Sequence, residues 1–232
     1  MIRFVLMDVE GTTTSIPFVH DVLFPYAARH LRKYLSRKRN DPRIEETLAQ
    51  VRATVTEVED VPASNEVAID RLEQWISEDR KHPALKTLQG FIWRDGYETG
   101  QYKGHIYPDV VPTWQKWRSR AVRLGIYSSG SVEAQKLLFG YSEQGDLRPF
   151  LDAHFDTRVG HKREPASYAR IREKLDLPAK NILFLSDVEA ELDAAKESHF
   201  QTCQVVRPGT QAGKNHRIIR SFLELENLDL AP

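Results

Sequence analysis

The run Arg3-Phe4-Val5-Leu6-Met7-Asp8-Val9-Glu10-Gly11-Thr12-Thr13 decides the fold. Residues 3–7 read as a strand whose apolar stretch is continuous rather than alternating, the pattern of a strand covered on both faces. The strand stops at Asp8. A turn of small residues, Gly11-Thr12-Thr13, follows, and its backbone donors are expected to suit a phosphate. Comparable runs lie at residues 122–127, ending at Ser128, and 181–185, ending at Ser186 and Asp187. A shorter one covers 154–156, and a fifth covers 202–206 and stops at Arg207-Pro208-Gly209.

Helical patterns separate these runs. Ser131 is placed to N-cap a helix through Leu138, and Pro165 opens one carrying Tyr168, Ile171 and Leu175 on one side. Another starts near Glu189, and a last helix is expected over residues 217–226. Strand and helix in alternation predict a parallel sheet with right-handed crossovers, a doubly wound α/β core.

Residues 16–105 interrupt the alternation with no strand signal. Phe18, Val22, Tyr26, His30 and Leu31 fall near helical spacing, as do Ile44, Leu48 and Val51, then Ile69, Leu72 and Ile76. Breaks are expected at Asp41-Pro42, Val61-Pro62 and His82-Pro83. The chain thus divides into an α/β core, residues 1–15 and 106–232, and a helical insert, residues 16–105, whose return is punctuated by Gly96, Gly100 and Gly104.

The 232 residues include 41% apolar and 28% charged side chains, enough to bury a core. Lys plus Arg equal Asp plus Glu at 33 each, which argues against nucleic acid or an anionic membrane as partner. Cys203 is the single cysteine, so neither an internal disulfide nor a thiolate metal site is expected. No stretch has the length of a signal peptide's apolar region or a membrane span, and a cytoplasmic monomer is expected.

In open α/β sheets ligands bind beyond the carboxyl ends of the strands. Those ends carry Asp8 with Glu10, Ser128 with Ser129, and Asp187, while Lys162 lies six residues beyond Asp156. A lone strand-end Asp is ordinarily a turn cap, and a lone loop Lys is ordinarily solvated. Together they compose a phosphoryl-transfer site. Asp8 is the candidate nucleophile, and Glu10 can protonate the leaving oxygen and then deprotonate water. Ser128, Ser129 and Lys162 are candidates to bind the phosphoryl oxygens, with Lys162 also neutralising charge on Asp8. Lys136 is the lesser alternative, because it falls inside a helix. Magnesium takes oxygen ligands and few protein carboxylates, which selects Asp8 and Asp187, with Glu10 as a third contact and one ion per chain. Glu191 is expected to orient the site, and Glu189 to face solvent at a helix start.

The four clusters occur in the order of the haloacid dehalogenase superfamily of aspartate-nucleophile phosphatases, which the chain resembles. Asp8-Val9-Glu10-Gly11-Thr12-Thr13 departs from the superfamily's Asp-x-Asp-x-Thr at Glu10, and there it is similar to the enolase-phosphatase branch. The resemblance extends through Ile16-Pro17-Phe18-Val19, Gln89-Gly90-Phe91-Ile92-Trp93, Lys103-Gly104-His105, Tyr127-Ser128-Ser129-Gly130-Ser131, Gly160-His161-Lys162 and Val206-Arg207-Pro208-Gly209.

It implies that the helical insert is a cap that closes over the core. It implies a methionine-salvage reaction on a small phosphorylated metabolite, 2,3-diketo-5-methylthiopentyl-1-phosphate, enolised and dephosphorylated to 1,2-dihydroxy-3-keto-5-methylthiopentene. Phe18, Trp93, Tyr97 and Tyr107 become candidates for the thioether end, and Lys103 and His105 for the enolisation base. A general sugar-phosphate phosphatase would share every core residue. A dehalogenase would need neither Glu10 nor Asp187, and a phosphate-binding module would need no nucleophile.

Overall fold

The computed structural model describes residues 1–60, 62–78, 80 and 82–225. Six strands form one sheet: β1 (Phe4–Met7), β2 (Arg123–Tyr127), β3 (Ala153–Phe155), β4 (Ile182–Ser186), β5 (Gln201–Val205) and β6 (Arg217–Ile219). Their order is β3-β2-β1-β4-β5-β6, and every pairing is parallel. The chain runs outward from β1 to β3, then returns to place β4 on the other side of β1. That reversal opens a crevice at the carboxyl ends of β1 and β4, where Asp8 and Asp187 follow their strands.

All four residues of β1 are fully buried. Phe4 and Leu6 join Tyr127, Tyr168, Phe184 and Phe200 in one apolar cluster. The strand's period of two turns Met7 the other way, where its sulfur accepts the Trp114 indole N–H at 3.1 Å. A strand walled on both faces fixes the exit of Asp8 more firmly than an edge strand could.

The chain separates into two compact units, Met1–Phe18 with Lys103–Pro232 and Val19–Tyr102. Residues 16–18 and 103–105 therefore go with the α/β unit, three residues inside the division expected at each junction. Local bonds account for this: the Gly104 amide donates to the Tyr141 carbonyl at 2.8 Å, and the Ser15 amide donates to His105 Nδ1 at 3.1 Å.

The helical unit contains α1 (Phe24–Arg37) after a π-helical turn (Phe18–Leu23), then α2 (Pro42–Glu59), α3 (Asn65–Ser77) and α4 (Pro83–Glu98). Its own core gathers Leu31, Leu48, Val51, Leu72, Trp75 and Leu88. Asp41 and His82 cap α2 and α4 by accepting the Arg43 and Ala84 amides, and Pro42 and Pro83 occupy the first turns. The expected break at Val61-Pro62 falls partly outside the described residues.

In the α/β unit, α5 (Val110–Ser119), α6 (Val132–Gly140), α7 (Pro165–Leu175) and α8 (Glu189–Glu197) alternate with the strands. Ser131 caps α6 by accepting the Ala134 amide. The helix expected over 217–226 is not there. Arg217–Ile219 pairs with β5 instead, and Phe222–Leu225 forms a single 3-10 turn, while residue 226 lies outside the described residues. Ile218 and Ile219 are β-branched, and the open edge of β5 offers them a ladder.

Candidate active site

Asp8 is held where β1 ends, its amide donating to the Leu185 carbonyl of β4 at 2.9 Å. The turn after it is closed by its own backbone. The amides of Thr12, Thr13 and Thr14 converge on the Val9 carbonyl at 3.3, 2.9 and 3.0 Å, and the Gly11 amide donates to the Thr14 carbonyl at 2.9 Å. The four amides from Gly11 to Thr14, offered by the sequence as donors to a phosphate, thus donate within the turn. Gly11 has φ +68°, and a Cβ there would sit 2.6 Å from the Asp187 carboxyl carbon. The Thr12 hydroxyl accepts the Asp187 amide at 3.1 Å and lies 3.5 Å from Asp187 Oδ1.

Lys162 reaches the site from the loop after β3. Its Nζ lies 2.6 Å from Asp8 Oδ1 and 2.6 Å from Glu191 Oε2, with all three residues under a tenth exposed. Three features aim it. The Tyr168 hydroxyl donates to the Lys162 carbonyl at 2.6 Å, the Tyr127 hydroxyl donates to the Gly160 carbonyl at 2.9 Å, and the Tyr127 ring lies 5.8 Å from Nζ. Glu191 is fixed in turn by the Ser186 hydroxyl, which donates to Oε2 at 3.0 Å.

Burial pulls the Lys162 ammonium toward neutrality, but the carboxylates of Asp8 and Glu191 more than reverse this, so its pKa is raised. Burial first, and the charge of Asp8 second, push the Asp187 carboxyl up to about 7 and also raise Glu191.

Asp8, Asp187 and Glu191 set three carboxyls against the single ammonium of Lys162. The surplus of hard oxygen donors fits a divalent cation such as Mg2+ held by few protein ligands. Glu10 stands half-buried on the turn, opposite Thr14 in an isolated β-bridge.

The register aligns Met7 with Ile126, so Ser128 leaves β2 close to the level of Asp8 on β1. Ser128 is buried, and its hydroxyl accepts the Gly130 amide at 3.1 Å. Ser129 beside it is exposed, as is Lys136 on α6.

The aromatic candidates are engaged in packing. The Trp93 indole donates to the Leu23 carbonyl at 2.8 Å, Tyr97 meets Tyr102 ring to ring at 4.6 Å, Phe18 is buried near His105, and Tyr107 lies 4.2 Å under the Arg207 guanidinium. His105 takes the Ser15 amide at Nδ1, so the neutral imidazole carries its hydrogen on Nε2 and has no free lone pair for a proton. Lys103 is exposed. Thr12, Asp109 and Arg207, which bond to the turn, to Asp187 or to one another, escape a reading of the sequence, because nothing in spacing marks a residue that acts through another.

Residues 2–199 match the family of haloacid dehalogenase-like hydrolases. The chain is 49% identical over 228 residues to a protein of Picosynechococcus sp. named enolase-phosphatase E1, covering 98% of this chain and 100% of that one. A Pseudomonas aeruginosa protein of the same name is 49% identical, with 97% and 98% covered. Among solved structures, the UTR4 protein of Saccharomyces cerevisiae superposes with a TM-score of 0.80 at 34% identity, covering 97% of this chain and 100% of that one. CbbY from Rhodobacter sphaeroides, in complex with phosphate, shares the fold at a TM-score of 0.62 and 17% identity, with 97% and 96% covered.

Proposed function

The chain belongs to the enolase-phosphatase family of the haloacid dehalogenase-like hydrolases, and on that footing we propose that it enolises 2,3-diketo-5-methylthiopentyl-1-phosphate and then removes the phosphate through Asp8. The observation that carries the reading is the Asp8–Lys162 pair, 2.6 Å apart, buried at the end of the central strand beside Asp187.

In enolisation a proton leaves the carbon bearing the phosphate ester, and the carbonyl oxygen takes up the negative charge. In the second step an Asp8 oxygen bonds to phosphorus as the ester P–O bond breaks. Glu10 delivers a proton to the departing oxygen, then takes one from the water that attacks the aspartyl phosphate. Lys162 aims Asp8, and with Ser128 and Ser129 it holds the phosphoryl oxygens. Haloacid dehalogenase-like phosphatases generally use Mg2+. Here Asp8, Glu10 and Asp187 would hold one ion per chain, whose charge offsets that of the phosphoryl group. The product is 1,2-dihydroxy-3-keto-5-methylthiopentene.

Among the described residues no helix is long and apolar enough to cross a membrane. The single, buried Cys203 supports a reducing, cytoplasmic setting. The balanced charge supports a monomer, to be checked by sedimentation. The function is tested by following ultraviolet absorbance of the enol beside phosphate release from the diketone. Enol preceding phosphate is the expected order. Turnover of sugar phosphates with none of the diketone would instead identify a general phosphatase.

A further inference from the structure

We propose that Arg207 is a positioning residue for the reaction, acting through Thr12 on the relation between the Asp8 turn and Asp187. The assignment rests on the reading of Asp8 and Asp187 given above. Arg207 follows β5, and its side chain is buried. Nε and Nη2 both donate to the Thr12 carbonyl at 3.3 Å, while Nη1 pairs with Asp109 Oδ2 at 2.9 Å and donates to the Arg220 carbonyl at 3.2 Å. The guanidinium lies 4.2 Å over the Tyr107 ring and 5.3 Å from that of Phe222. Asp109 is itself pinned, accepting the Phe222 amide at 2.6 Å and the Ser221 hydroxyl at 3.0 Å.

Thr12 is the point on which this matters. Its amide points back into the turn at Val9, but its carbonyl is turned out to Arg207. The next carbonyl, of Thr13, accepts the amide of Tyr107, the residue whose ring Arg207 covers. Two consecutive carbonyls of the turn are thus gripped by one stacked pair. On its other side Thr12 presents its hydroxyl to the Asp187 amide at 3.1 Å. Rotation of the Thr12 peptide would move that hydroxyl and bring Gly11 against the Asp187 carboxyl, which already has no room for a Cβ between them. A planar fork holds Thr12, Asp109 and Arg220 at once in fixed directions, whereas the three donors of an ammonium rotate about one flexible stem and fix no such geometry. Displacements of about 1 Å in such a site cost on the order of a hundredfold in rate.

The test compares Arg207→Lys with wild type and Asp8→Asn on an aryl phosphate, measuring kcat, KM and thermal midpoint, together with Mg2+ binding by calorimetry in the absence of substrate. Arg207→Lys keeps the charge beside Asp109. It is expected to remain folded, with kcat lowered roughly 10- to 100-fold, KM within about threefold and Mg2+ bound more weakly. A lower midpoint with kcat and Mg2+ binding unchanged would overturn the proposal, because Arg207 would then serve stability alone. Should Arg207→Lys fail to fold, Asp109→Asn carries the same test. It keeps acceptors for Ser221 and Phe222 while weakening the hold on Arg207, and an unchanged kcat there overturns the proposal equally. Asp8→Asn separates the two readings: its turnover at the wild-type level would refute the nucleophile, whereas an inert Asp8→Asn beside a fully active Arg207→Lys refutes only the role of Arg207.

Discussion

At the residue scale, two carboxyls distinguish this site. Glu10 stands where the superfamily pattern has Asp, and in the mechanism proposed above its extra methylene would give it the reach to serve two proton transfers. Glu10→Asp is therefore expected to keep measurable turnover of an aryl phosphate, whose leaving group needs little protonation, while losing more of the enolisation step. Enol absorbance set beside phosphate release checks this. Equal losses in both steps would deny Glu10 a separate part in enolisation. Lys103 or His105 would then be the next candidate base.

Asp187 supplies a prediction in pH. Its carboxyl is raised by burial and by Asp8 from 3.8 to about 7, so the folded protein binds a proton that the unfolded chain releases. The stabilisation is complete below the unfolded pKa and is lost as pH rises through the folded one. In chelator, stability should therefore fall between about pH 4 and 7, by up to a few kcal/mol. Asp187→Asn should flatten this slope, and Mg2+ should restore stability at neutral pH. Equal slopes for variant and wild type in thermal melts would contradict this.

At the element scale, the turn after β1 shows how much depends on one missing side chain. Gly11 and Gly100 share φ +68°, yet a Cβ at Gly11 would meet Asp187 at 2.6 Å and one at Gly100 would meet nothing within 4 Å. Gly100→Ala should cost only the left-handed backbone term, about 1–2 kcal/mol, with turnover intact. Gly11→Ala should lose turnover by more than about a hundredfold, because it displaces Asp187 as well. Kinetics and thermal melts of the two variants side by side check this.

The strand ends are legible in the sequence because a continuous apolar run ending in a polar residue has few other readings. The turn's amides are not, because a Gly-Thr-Thr sequence does not say whether its donors face a ligand or their own Val9 carbonyl. β6 escapes because three residues hold too little periodicity to be told from a helix start. α4 and α5 are faint for another reason. Gly90 and Gly96 interrupt the periodicity of α4, and α5 opens on Val110-Val111-Pro112, two β-branched residues and a proline that do not announce a helix.

At the scale of the whole molecule, the sequence separates two kinds of chain because their periods differ: uninterrupted strands in the α/β unit, and three-to-four spacing in the insert. The junctions shift by three residues because hydrogen bonds to Ser15 and Tyr141, not composition, hold residues 103–105. The helical unit has a core of its own, in which Leu72 is fully buried. Leu72→Ala should lower stability by about 2–5 kcal/mol, read as a fall in the urea midpoint. Turnover of an aryl phosphate per folded molecule should be unchanged, since Leu72 contributes to that core alone. A drop in kcat at full folding would reveal a coupling that this division of labour does not contain.

The long-range positioning groups, Arg207 with Asp109 above all, are far apart in sequence from each other and from Thr12, and no local pattern joins them.

The central claim is that Asp8 carries the phosphoryl group. Acid quench during steady turnover, followed by borohydride reduction and peptide mass analysis, converts an aspartyl phosphate to homoserine at the position that bore it. Homoserine at position 8 in wild type, absent in folded and inactive Asp8→Asn, is the predicted result. Full phosphate release with no homoserine at position 8, or with reduction at Asp187 instead, would contradict the account.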